Sequence, residues 1–315
     1  MPQKAKKEKL SLARRVHLRV PASTANLGPG FDCLGLALSL YNVFVLEPGE
    51  TVSVTVRNKG CDGDDCQLLA NDHKNLVWRS ACEVFQREGV KLPGMRIRMD
   101  ISVPLARGLG SSATAIIAGV AGANALLDNP MSEDDTFQLI VALEGHPDNV
   151  AASYYGGLTA ATMHKRRAHV ARFPVAPVVR AVVAIPPYPL STEKARAALP
   201  KEVPHGDAVH NLSRIPFVIR ALSNGTIDDL TWAMDDRLHE PYRLALSQDG
   251  RAIQKAAVAA GAAAVTISGA GPTLIAFCLE PRAASVADAM RRTMKGGRVE
   301  ILEAEKRGVR LVVKR

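Results

Sequence analysis

Residues 103–114 read VPLARGLGSSAT, a run of glycines and serines between two segments of different period. The preceding segment, MRIRMDISV at 95–103, alternates strictly and predicts a strand, and the small residues at 111–127 predict a closely packed helix. A strand that delivers GLGSS to the start of a helix offers one anion consecutive backbone N–H groups, two hydroxyls and the positive end of the helix dipole. The stretch therefore predicts a phosphate-binding loop.

Two common nucleotide-binding loops do not match this stretch. The Walker loop requires G-x-x-x-x-G-K-[ST], but Gly108 and Gly110 are two positions apart and no Lys follows them. The dinucleotide loop G-x-G-x-x-G fails at Ala113. Because glycines before a helix also occur in simple tight turns, the neighbouring segments must decide whether this loop is functional.

The composition of the chain is that of an ordinary globular protein. Its 315 residues, 47% of them hydrophobic and 23% charged, are enough for two packed domains. The formal net charge is +9, but residues 1–15 hold six Lys or Arg and one Glu, so five of these nine charges lie in this segment. A mobile basic tail is expected there, and no nucleic-acid partner, because no aromatic residues alternate with the basic ones. The remaining positive charge suits an anionic small substrate.

No membrane span or secretory signal is visible in the sequence. It has no run of about 18 apolar residues, and the basic N-terminal stretch precedes no apolar segment, so we expect no membrane partner and a cytoplasmic protein. Among the five cysteines only Cys61 and Cys66 are close in sequence. Their C-x4-C spacing lacks a second pair, which predicts reduced thiols rather than a metal site.

Predicted strands and helices are mixed without a regular β-α-β period, which favours an α+β protein of two layered domains. Strands are predicted at 16–20, 34–46, 51–57, 95–103, 156–163 and 181–186, in a strand–turn–strand unit at 263–278, and twice near the C-terminus. Helices are predicted at 75–86, 111–127, 132–144, 192–199, 208–223, 249–260 and 281–294. The domain boundary is placed near residue 165, giving domains at 16–165 and 166–315.

Three motifs resemble a known family. PASTANLGPGFD (21–32), the loop at 103–114 and SGAGPT (268–273) are similar, in order and spacing, to the three motifs of the GHMP kinases. Within that family, four stretches resemble the members that phosphorylate L-homoserine: PASTANLGPGFDCLGLAL, EGHPDNVAASYYGG, STEKARAALP and EPYR. The resemblance covers most of the chain. It implies a two-domain GHMP kinase fold, with an N-terminal nucleotide-binding domain and a C-terminal α/β-sandwich (ferredoxin-like) domain.

The resemblance also implies an activity: ATP-dependent phosphorylation of the side-chain hydroxyl of L-homoserine, a step of threonine biosynthesis, with ATP and Mg²⁺. Ser112 and Glu144 are the implied Mg²⁺ ligands, consistent with an ion that takes few protein oxygens and keeps several waters. The implied nucleotide contacts are Asn75, Pro104, Leu105, Ala106, Arg107, Gly108, Leu109, Gly110, Ser111, Ser112, Ala113, Thr114, Gly269 and Gly271. The expectation that the protein forms a homodimer rests on the resemblance alone.

The charges of the acceptor indicate which side chains hold it. Arg196 and Arg243 are suited to grip an α-carboxylate bidentately, which Lys does less well, and Asp32 is suited to pair with the α-ammonium. The resemblance places these three at or near the substrate together with Asn26, His146, Asn149 and Thr192. The predicted catalytic residues are Asn26, Asp148, Asn149 and Arg196.

A general base is less evident than the binding residues. Several GHMP kinases use an aspartate together with a first-motif lysine, but PASTANLGPG contains no Lys, which leaves Asp148 or Asn149 in that region, and Asn cannot take a proton. Our hypothesis is that positioning and electrostatics dominate catalysis and that the hydroxyl proton leaves late, to phosphate itself.

Two other functions remain open at this point. A mevalonate-type kinase of the same family is disfavoured by Asp32, because mevalonate has no ammonium group to pair with it. A non-catalytic, ligand-sensing member of the fold is disfavoured because the loop serines, Glu144 and both arginines are present.

Overall fold

The computed structural model describes residues 14–58, 69, 72–91 and 94–314. Numbered in chain order, the described strands are β1 (Arg15–Ala25), β2 (Leu34–Gly49), β3 (Ser53–Asn58), β4 (Gly94–Ile101), β5 (Leu158–His164), β6 (Arg167–Phe173), β7 (Val179–Ile185), β8 (Ala264–Ile267), β9 (Leu274–Leu279), β10 (Arg298–Leu302) and β11 (Arg310–Lys314). The described helices are α1 (Leu76–Arg87), α2 (Ser111–Leu126), α3 (Glu133–Glu144), α4 (Pro147–Tyr155), α5 (Thr192–Ala197), α6 (His205–Asn224), α7 (Leu230–Ala233), α8 (Glu240–Arg243), α9 (Gly250–Ala259) and α10 (Ala283–Thr293). None of these helices is both long and apolar enough to cross a membrane.

The first sheet is organised around the long strand β2. Strands β11, β1, β2, β4 and β3 lie side by side in that order, and β5 pairs with the first residues of β2 and with β6. Helix α2 is buried along almost its whole length beneath this sheet. Its small residues permit that packing: a Cβ on Gly119 would lie 2.4 Å from the carbonyl oxygen of Val77 in α1. The predicted small-residue helix is therefore the buried axis of this domain.

The second sheet is antiparallel, with strand order β10-β7-β9-β8. Helix α9 precedes β8 and α10 joins β9 to β10, which is the β-α-β-β-α-β arrangement of a ferredoxin-like sandwich. Ile253 on α9 and Val286 and Met290 on α10 bury their side chains against one face of this sheet. Phe277 and Val183, on the opposite face, pack with side chains of the first sheet and α6. The predicted α+β fold with a ferredoxin-like second domain is confirmed.

The domain crossing lies later in the chain than the predicted boundary. Residue 165 falls in the turn between β5 and β6, and β6 pairs with β5 along its whole length in the first sheet. The chain leaves this sheet only after Phe173, and β11 returns to it by pairing with β1. The first sheet is thus completed by the C-terminal strand, so the two sheets are not built from two uninterrupted halves of the sequence.

Most predicted elements agree with the structure to within a few residues, but some elements of the structure, such as α4, were not predicted. Ser132 caps α3 by accepting a hydrogen bond from the N–H of Asp135, as its position predicts. At GHPDN (145–149), which is predicted only to interrupt a helix, Gly145 ends α3 with a left-handed φ and Pro147 begins α4 two residues later. The first motif is predicted to form a turn throughout, but its residues PASTA (21–25) continue β1. The predicted tail lies outside the described residues except for Arg14 and Arg15, the latter beginning β1, and Cys61 and Cys66 also lie outside.

Candidate active site

The three sequence motifs meet at one pocket, which is lined by residues of both domains. The first motif ends β1, the second joins β4 to α2, and the third joins β8 to β9. The N–H of Ser23 donates to the carbonyl of Leu109 at 3.2 Å, and the N–H of Gly269 donates to Ala25 at 3.1 Å. The hydroxyl of Ser268 completes the set by donating to the carbonyl of Gly108 at 2.6 Å. Segments nearly 250 residues apart in sequence therefore form the wall of a pocket of about 440 Å³.

Gly108 and Gly110 are required by close backbone approach as well as by conformation. Their φ angles are +75° and +70°, in the left-handed region that glycine adopts without strain. A Cβ on Gly108 would lie 2.1 Å from the carbonyl oxygen of Ser268, and one on Gly110 would lie 2.2 Å from the hydroxyl of Ser23. The glycines thus permit the second motif to contact both other motifs directly.

The N-terminus of α2 opens onto this pocket with no capping side chain among the described residues. Gly110 occupies the capping position, so the first-turn N–H groups and the positive end of a 16-residue helix face the cavity. The hydroxyl of Ser111 donates to the carbonyl of Val103 at 3.3 Å, which ties the loop to the end of its strand. These are the features of an anion site at a helix N-terminus.

Arg107 lines the pocket and also anchors the loop. Its guanidinium donates to the carbonyls of Leu105 at 2.6 Å, Pro187 at 2.8 Å and Pro186 at 3.3 Å. The N–H of Leu190 donates to the carbonyl of Ala106 at 3.0 Å. Arg107 and this backbone bond therefore attach the loop to the segment after β7.

One end of the pocket is apolar. Phe44, Leu76, Met99, Ile101 and Ala115 line it, together with Leu69. Such a lining suits the flat face of a purine base.

Asn75 lies next to the apolar end but does not line the pocket. Its Oδ1 accepts hydrogen bonds from the N–H groups of Val77 and Trp78, and its Nδ2 donates to the carbonyl of Leu69 at 2.8 Å. It is buried and caps α1. In the structure Asn75 therefore supports the apolar wall, and its direct contact with nucleotide stays a prediction.

The opposite end of the pocket carries the charged residues. Nη2 of Arg196 donates to both carboxylate oxygens of Asp32, at 2.8 and 3.0 Å, whereas its buried Nε has no hydrogen-bond partner among the described residues. Arg243 is 3% exposed and donates from Nη1 to the carbonyl of Gly269 at 3.1 Å. Burial and, second, the charge of Arg196 lower the pKa of Arg243. Two guanidinium groups and one carboxylate therefore face the same cavity.

Asp148 and Asn149 lie between the charged end and the phosphate loop. Oδ1 of Asp148 accepts the N–H of Asn149 at 2.7 Å, and burial, with a further contribution from the negative charge of Asp32, raises the pKa of the Asp148 carboxyl. Oδ1 of Asn149 accepts the hydroxyl of Ser23 at 2.9 Å, and Ser23 in turn accepts from Ser153 at 3.0 Å. Asn149 is thereby held in one orientation beside the loop.

Ser112 and Glu144 form a pair of oxygen ligands at the loop. The hydroxyl of Ser112 donates to Oε1 of Glu144 at 2.6 Å. Burial raises the pKa of Glu144 to about 7, opposed by the Ser112 hydrogen bond and reinforced by the nearby charge of Asp148. A hydroxyl and a carboxylate in contact are the hard oxygen donors that Mg²⁺ takes from proteins, so the residues fit that ion.

Asn26 has both ends of its amide occupied. Nδ2 donates to the carbonyl of Gly269 at 2.7 Å, and Oδ1 accepts the N–H of Asp32 at 3.0 Å. With a φ of +74° it also turns the chain sharply after β1. Through these contacts Asn26 helps to join the first motif to the third and holds the backbone N–H of Asp32.

The structure brings most of the predicted site residues to this pocket. Those that line it are Asn26, Asp32, Leu105, Ala106, Arg107, Gly108, Gly110, Ser111, Ser112, Glu144, His146, Asp148, Asn149, Thr192, Arg196, Arg243 and Gly269. The predicted residues that do not line it are Asn75, Pro104, Leu109, Ala113, Thr114 and Gly271. Leu109 and Ala113 belong to the buried cores instead, and Thr114 accepts a hydrogen bond from Asn42.

Sequence reasoning missed Asn42 and Phe31. Oδ1 of Asn42 accepts the N–H groups of Ser102 and Val103, both at 2.9 Å, where β4 runs into the loop. The available signal was a single amide inside the apolar run YNVFV. Phe31 lies between the two arginines and a buried histidine, and only its place within the first motif hinted at a role.

A glycine-serine loop at a helix N-terminus lies against a ferredoxin-like domain, and the pocket beside it has one apolar end suited to a purine base and one charged end. These features define the class of protein as the GHMP kinases. In agreement, residues 75–157 match the family model described as the GHMP kinases N terminal domain, and residues 218–296 match that of the GHMP kinases C terminal.

Comparison with known proteins narrows the class. A curated homoserine kinase of a Synechococcus sp. is 42% identical over 302 residues, which is 94% of this chain and 98% of the relative. The crystal structure of homoserine kinase from Cytophaga hutchinsonii superposes with a TM-score of 0.84 at 27% identity and covers 98% of this chain and all of that one. The mevalonate kinase of L. major, at 14% identity and a TM-score of 0.68, shares the fold alone. The chain belongs to the homoserine kinase family.

Proposed function

We propose that this chain transfers the γ-phosphoryl group of ATP to the side-chain hydroxyl of L-homoserine, giving O-phospho-L-homoserine. Family membership supports the reaction. The observation that supports L-homoserine as the acceptor is that Arg196, Arg243 and Asp32 face the same cavity as the phosphate loop. A zwitterionic amino acid needs cations for its carboxylate and an anion for its ammonium, and its hydroxyl must reach the γ-phosphate.

ATP is assigned along the pocket from the apolar end to the loop. The base lies against Phe44, Met99 and Ile101, and the phosphates lie on the backbone N–H groups of the loop at 108–112 and at the N-terminus of α2. Catalysis of phosphoryl transfer consists mainly of positioning and of stabilising charge on the phosphoryl oxygens, because the protein makes little covalent contribution. A loop fixed by two neighbouring motifs supplies that rigidity.

Ser112 and Glu144 are the residues assigned to hold Mg²⁺. When bound, the ion neutralises phosphate charge during transfer. The contribution of the chain is to hold the Glu144 carboxylate in contact with the Ser112 hydroxyl. Since the pKa of Glu144 is raised to about 7, protonation removes this ligand in acidic solution.

Acceptor binding is assigned to the charged end of the pocket. Arg243 and the unpaired Nε of Arg196 donate to the α-carboxylate, and Asp32 attracts the adjacent α-ammonium while still paired with Arg196. Asn149 and His146 complete the polar lining near the hydroxyl. Binding both charged groups of the acceptor directs its side chain toward the loop.

Asp148 lies next to Asn149 and, unlike Asp32, accepts no hydrogen bond from an arginine side chain in the described part of the chain. Burial raises the pKa of the Asp148 carboxyl, which makes its ionised form a better proton acceptor. We retain the hypothesis that positioning dominates and that the hydroxyl proton leaves late, to phosphate. Asp148 then acts through its charge and through its contact with Asn149.

Release of ADP from ATP and Mg²⁺ tests the proposal, with L-homoserine compared with mevalonate, L-serine and D-homoserine. We expect release with L-homoserine, and Asp32→Asn, which keeps the size of the side chain, should weaken use of this acceptor. Release with mevalonate alone would retain the fold and refute the assigned acceptor pocket. Binding of nucleotide without turnover of any acceptor would refute the kinase activity.

A further inference from the structure

A buried histidine outside the predicted site connects two parts of the acceptor end. His239 precedes α8, has no exposed surface, and contacts the first motif through its ring. Its Nε2 lies 2.9 Å from the carbonyl oxygen of Gly28. Because a carbonyl oxygen only accepts, the proton of a neutral His239 ring lies on Nε2, and Nδ1, which has no partner in the described part of the chain, is left as a bare acceptor.

The backbone of His239 begins the short helix that carries Arg243. Its carbonyl accepts the N–H of Arg243 at 3.1 Å, and its own N–H donates to Oδ2 of Asp236 at 2.9 Å. Asp236 also accepts the N–H of Glu240 at 2.6 Å. The backbone at residue 239 is therefore tied to α8 while the ring is tied to the loop that bears Asp32.

Phe31 completes the connection to the arginines. Its ring stacks on that of His239, with centroids 5.1 Å apart and planes inclined by 21°. The guanidinium carbons of Arg243 and Arg196 lie 5.1 and 5.8 Å from the centroid of the Phe31 ring. One aromatic ring thus contacts both groups assigned to the acceptor carboxylate, and it rests on His239.

We propose that His239 is a positioning residue for the acceptor: its hydrogen bond to Gly28 and its stack with Phe31 set the separation and orientation of Arg196 and Arg243. This inference rests on the proposed function, because it assumes that these arginines bind the acceptor. Gly28 supports it independently, since a Cβ there would lie 2.5 Å from the carbonyl of Met234, so the loop is pressed against the segment that leads to His239. Burial, the largest influence, lowers the pKa of His239, so the ring stays neutral near pH 7.

Two substitutions separate the two contacts of the ring. His239→Phe keeps a ring against Phe31 but leaves the buried carbonyl of Gly28 without a donor, and His239→Gln keeps an N–H donor but removes the stacked ring. His239→Phe should raise the KM for L-homoserine roughly tenfold to a hundredfold, the range for one buried unsatisfied group, and His239→Gln about fivefold to tenfold, the upper part of the range for one aromatic pair. Both should leave the KM for ATP within about twofold. An equal rise in both KM values, or no change in either, would overturn the proposal.

Val286→Ala is the matched control for loss of stability. Val286 is fully buried on α10, and the described core to which it belongs, on the other face of the second sheet, includes none of the assigned residues. We expect it to lower the Tm while both KM values stay unchanged, so a selective rise in the acceptor KM cannot be ascribed to weaker folding. If the His239 variants fail to fold, Phe31→Leu tests the same connection from its other end, with the same selective rise expected and an unchanged acceptor KM refuting it.

A double-mutant cycle tests whether His239 acts through Phe31. In the Phe31→Leu background, His239→Gln should add less than about threefold to the acceptor KM, because the ring contact is already lost. Full additivity would refute action through Phe31. All these assays use the acceptor that the unmodified protein phosphorylates. If that acceptor is an amino acid other than L-homoserine, the proposed function fails, but the comparison of KM values still tests the role of His239.

Discussion

The replacement of Gly108 by alanine tests the packing of the phosphate loop against the third motif. The added Cβ would lie 2.1 Å from the carbonyl oxygen of Ser268 and 3.0 Å from the backbone of Gly271. Ordinary contact begins near 3.4 Å, so the loop must move away by about 1.3 Å. Because displacement of reacting groups by about 1 Å costs on the order of a hundredfold in rate, we expect kcat to fall about a hundredfold.

Gly89→Ala is a matched control for the backbone cost of this change. Gly89 has a φ of +66°, close to the +75° of Gly108, but no described atom lies within 4 Å of the position that a Cβ would take there. Both replacements place alanine in the left-handed region at a cost of about 1–2 kcal/mol, which lowers the Tm by several degrees. Only Gly108→Ala adds the contact with Ser268, so only this variant should lose activity.

Release of ADP at saturating ATP and L-homoserine, together with thermal unfolding, distinguishes these effects. The expected result is a similar loss of Tm in the two variants, or a larger loss in Gly108→Ala, with a fall in kcat confined to Gly108→Ala. A Gly108→Ala enzyme with unchanged kcat would show that the loop need not contact the third motif. An equal loss of kcat in Gly89→Ala would show that general destabilisation explains the effect.

Three further results are expected at the same site. Arg243→Lys should raise the KM for L-homoserine at least about tenfold and leave the KM for ATP unchanged, since Lys cannot reproduce the guanidinium fork; equal changes in both would refute the assignment. Asp148→Asn should lower kcat by less than about 10³-fold, whereas a larger loss with acceptor binding intact would make Asp148 the general base. The half-saturating Mg²⁺ concentration should be constant above pH 7 and rise about tenfold for each pH unit below it, because Glu144 then takes up a proton. Titration of activity with Mg²⁺ at several pH values measures this dependence. A half-saturating concentration that does not change with pH would contradict the role of Glu144.

The phosphate loop could be predicted because every local signal agreed. Strict alternation up to Val103 indicated a strand, small residues after Ser111 indicated a buried helix, and two glycines between them indicated a turn with close approach. Each of these signals depends on residues adjacent in the chain. The structure agrees with all three and adds the reason for the glycines, which is contact with Ser23 and Ser268.

Other features could not be predicted because they depend on partners distant in sequence. The pattern of residues in β6 does not reveal which sheet it joins, and β11 pairs with a strand nearly 300 residues earlier. Asn26 has the residue type of a catalytic group, yet Asp32 and Gly269 occupy its amide. Assigning such roles requires knowing which donors and acceptors are already used, and this information exists only in three dimensions.

The ion pair between Asp32 and Arg196 gives the acceptor end a physical basis for choosing an amino acid. With about a third of each side chain exposed, the pair is stable without ligand but only weakly so. Under the proposed assignment, an acceptor with a carboxylate alone, such as mevalonate, would draw on Arg196 but leave Asp32 facing a second anion. An amino acid would instead bring its ammonium to Asp32 as its α-carboxylate reaches Arg196 and Arg243. The carboxylate of Asp32 and the guanidinium groups of both arginines would then each face an opposite charge. The proposed assignment therefore predicts that discrimination against acceptors without an ammonium resides in Asp32, whereas the strength of binding resides in the two arginines that Phe31 contacts.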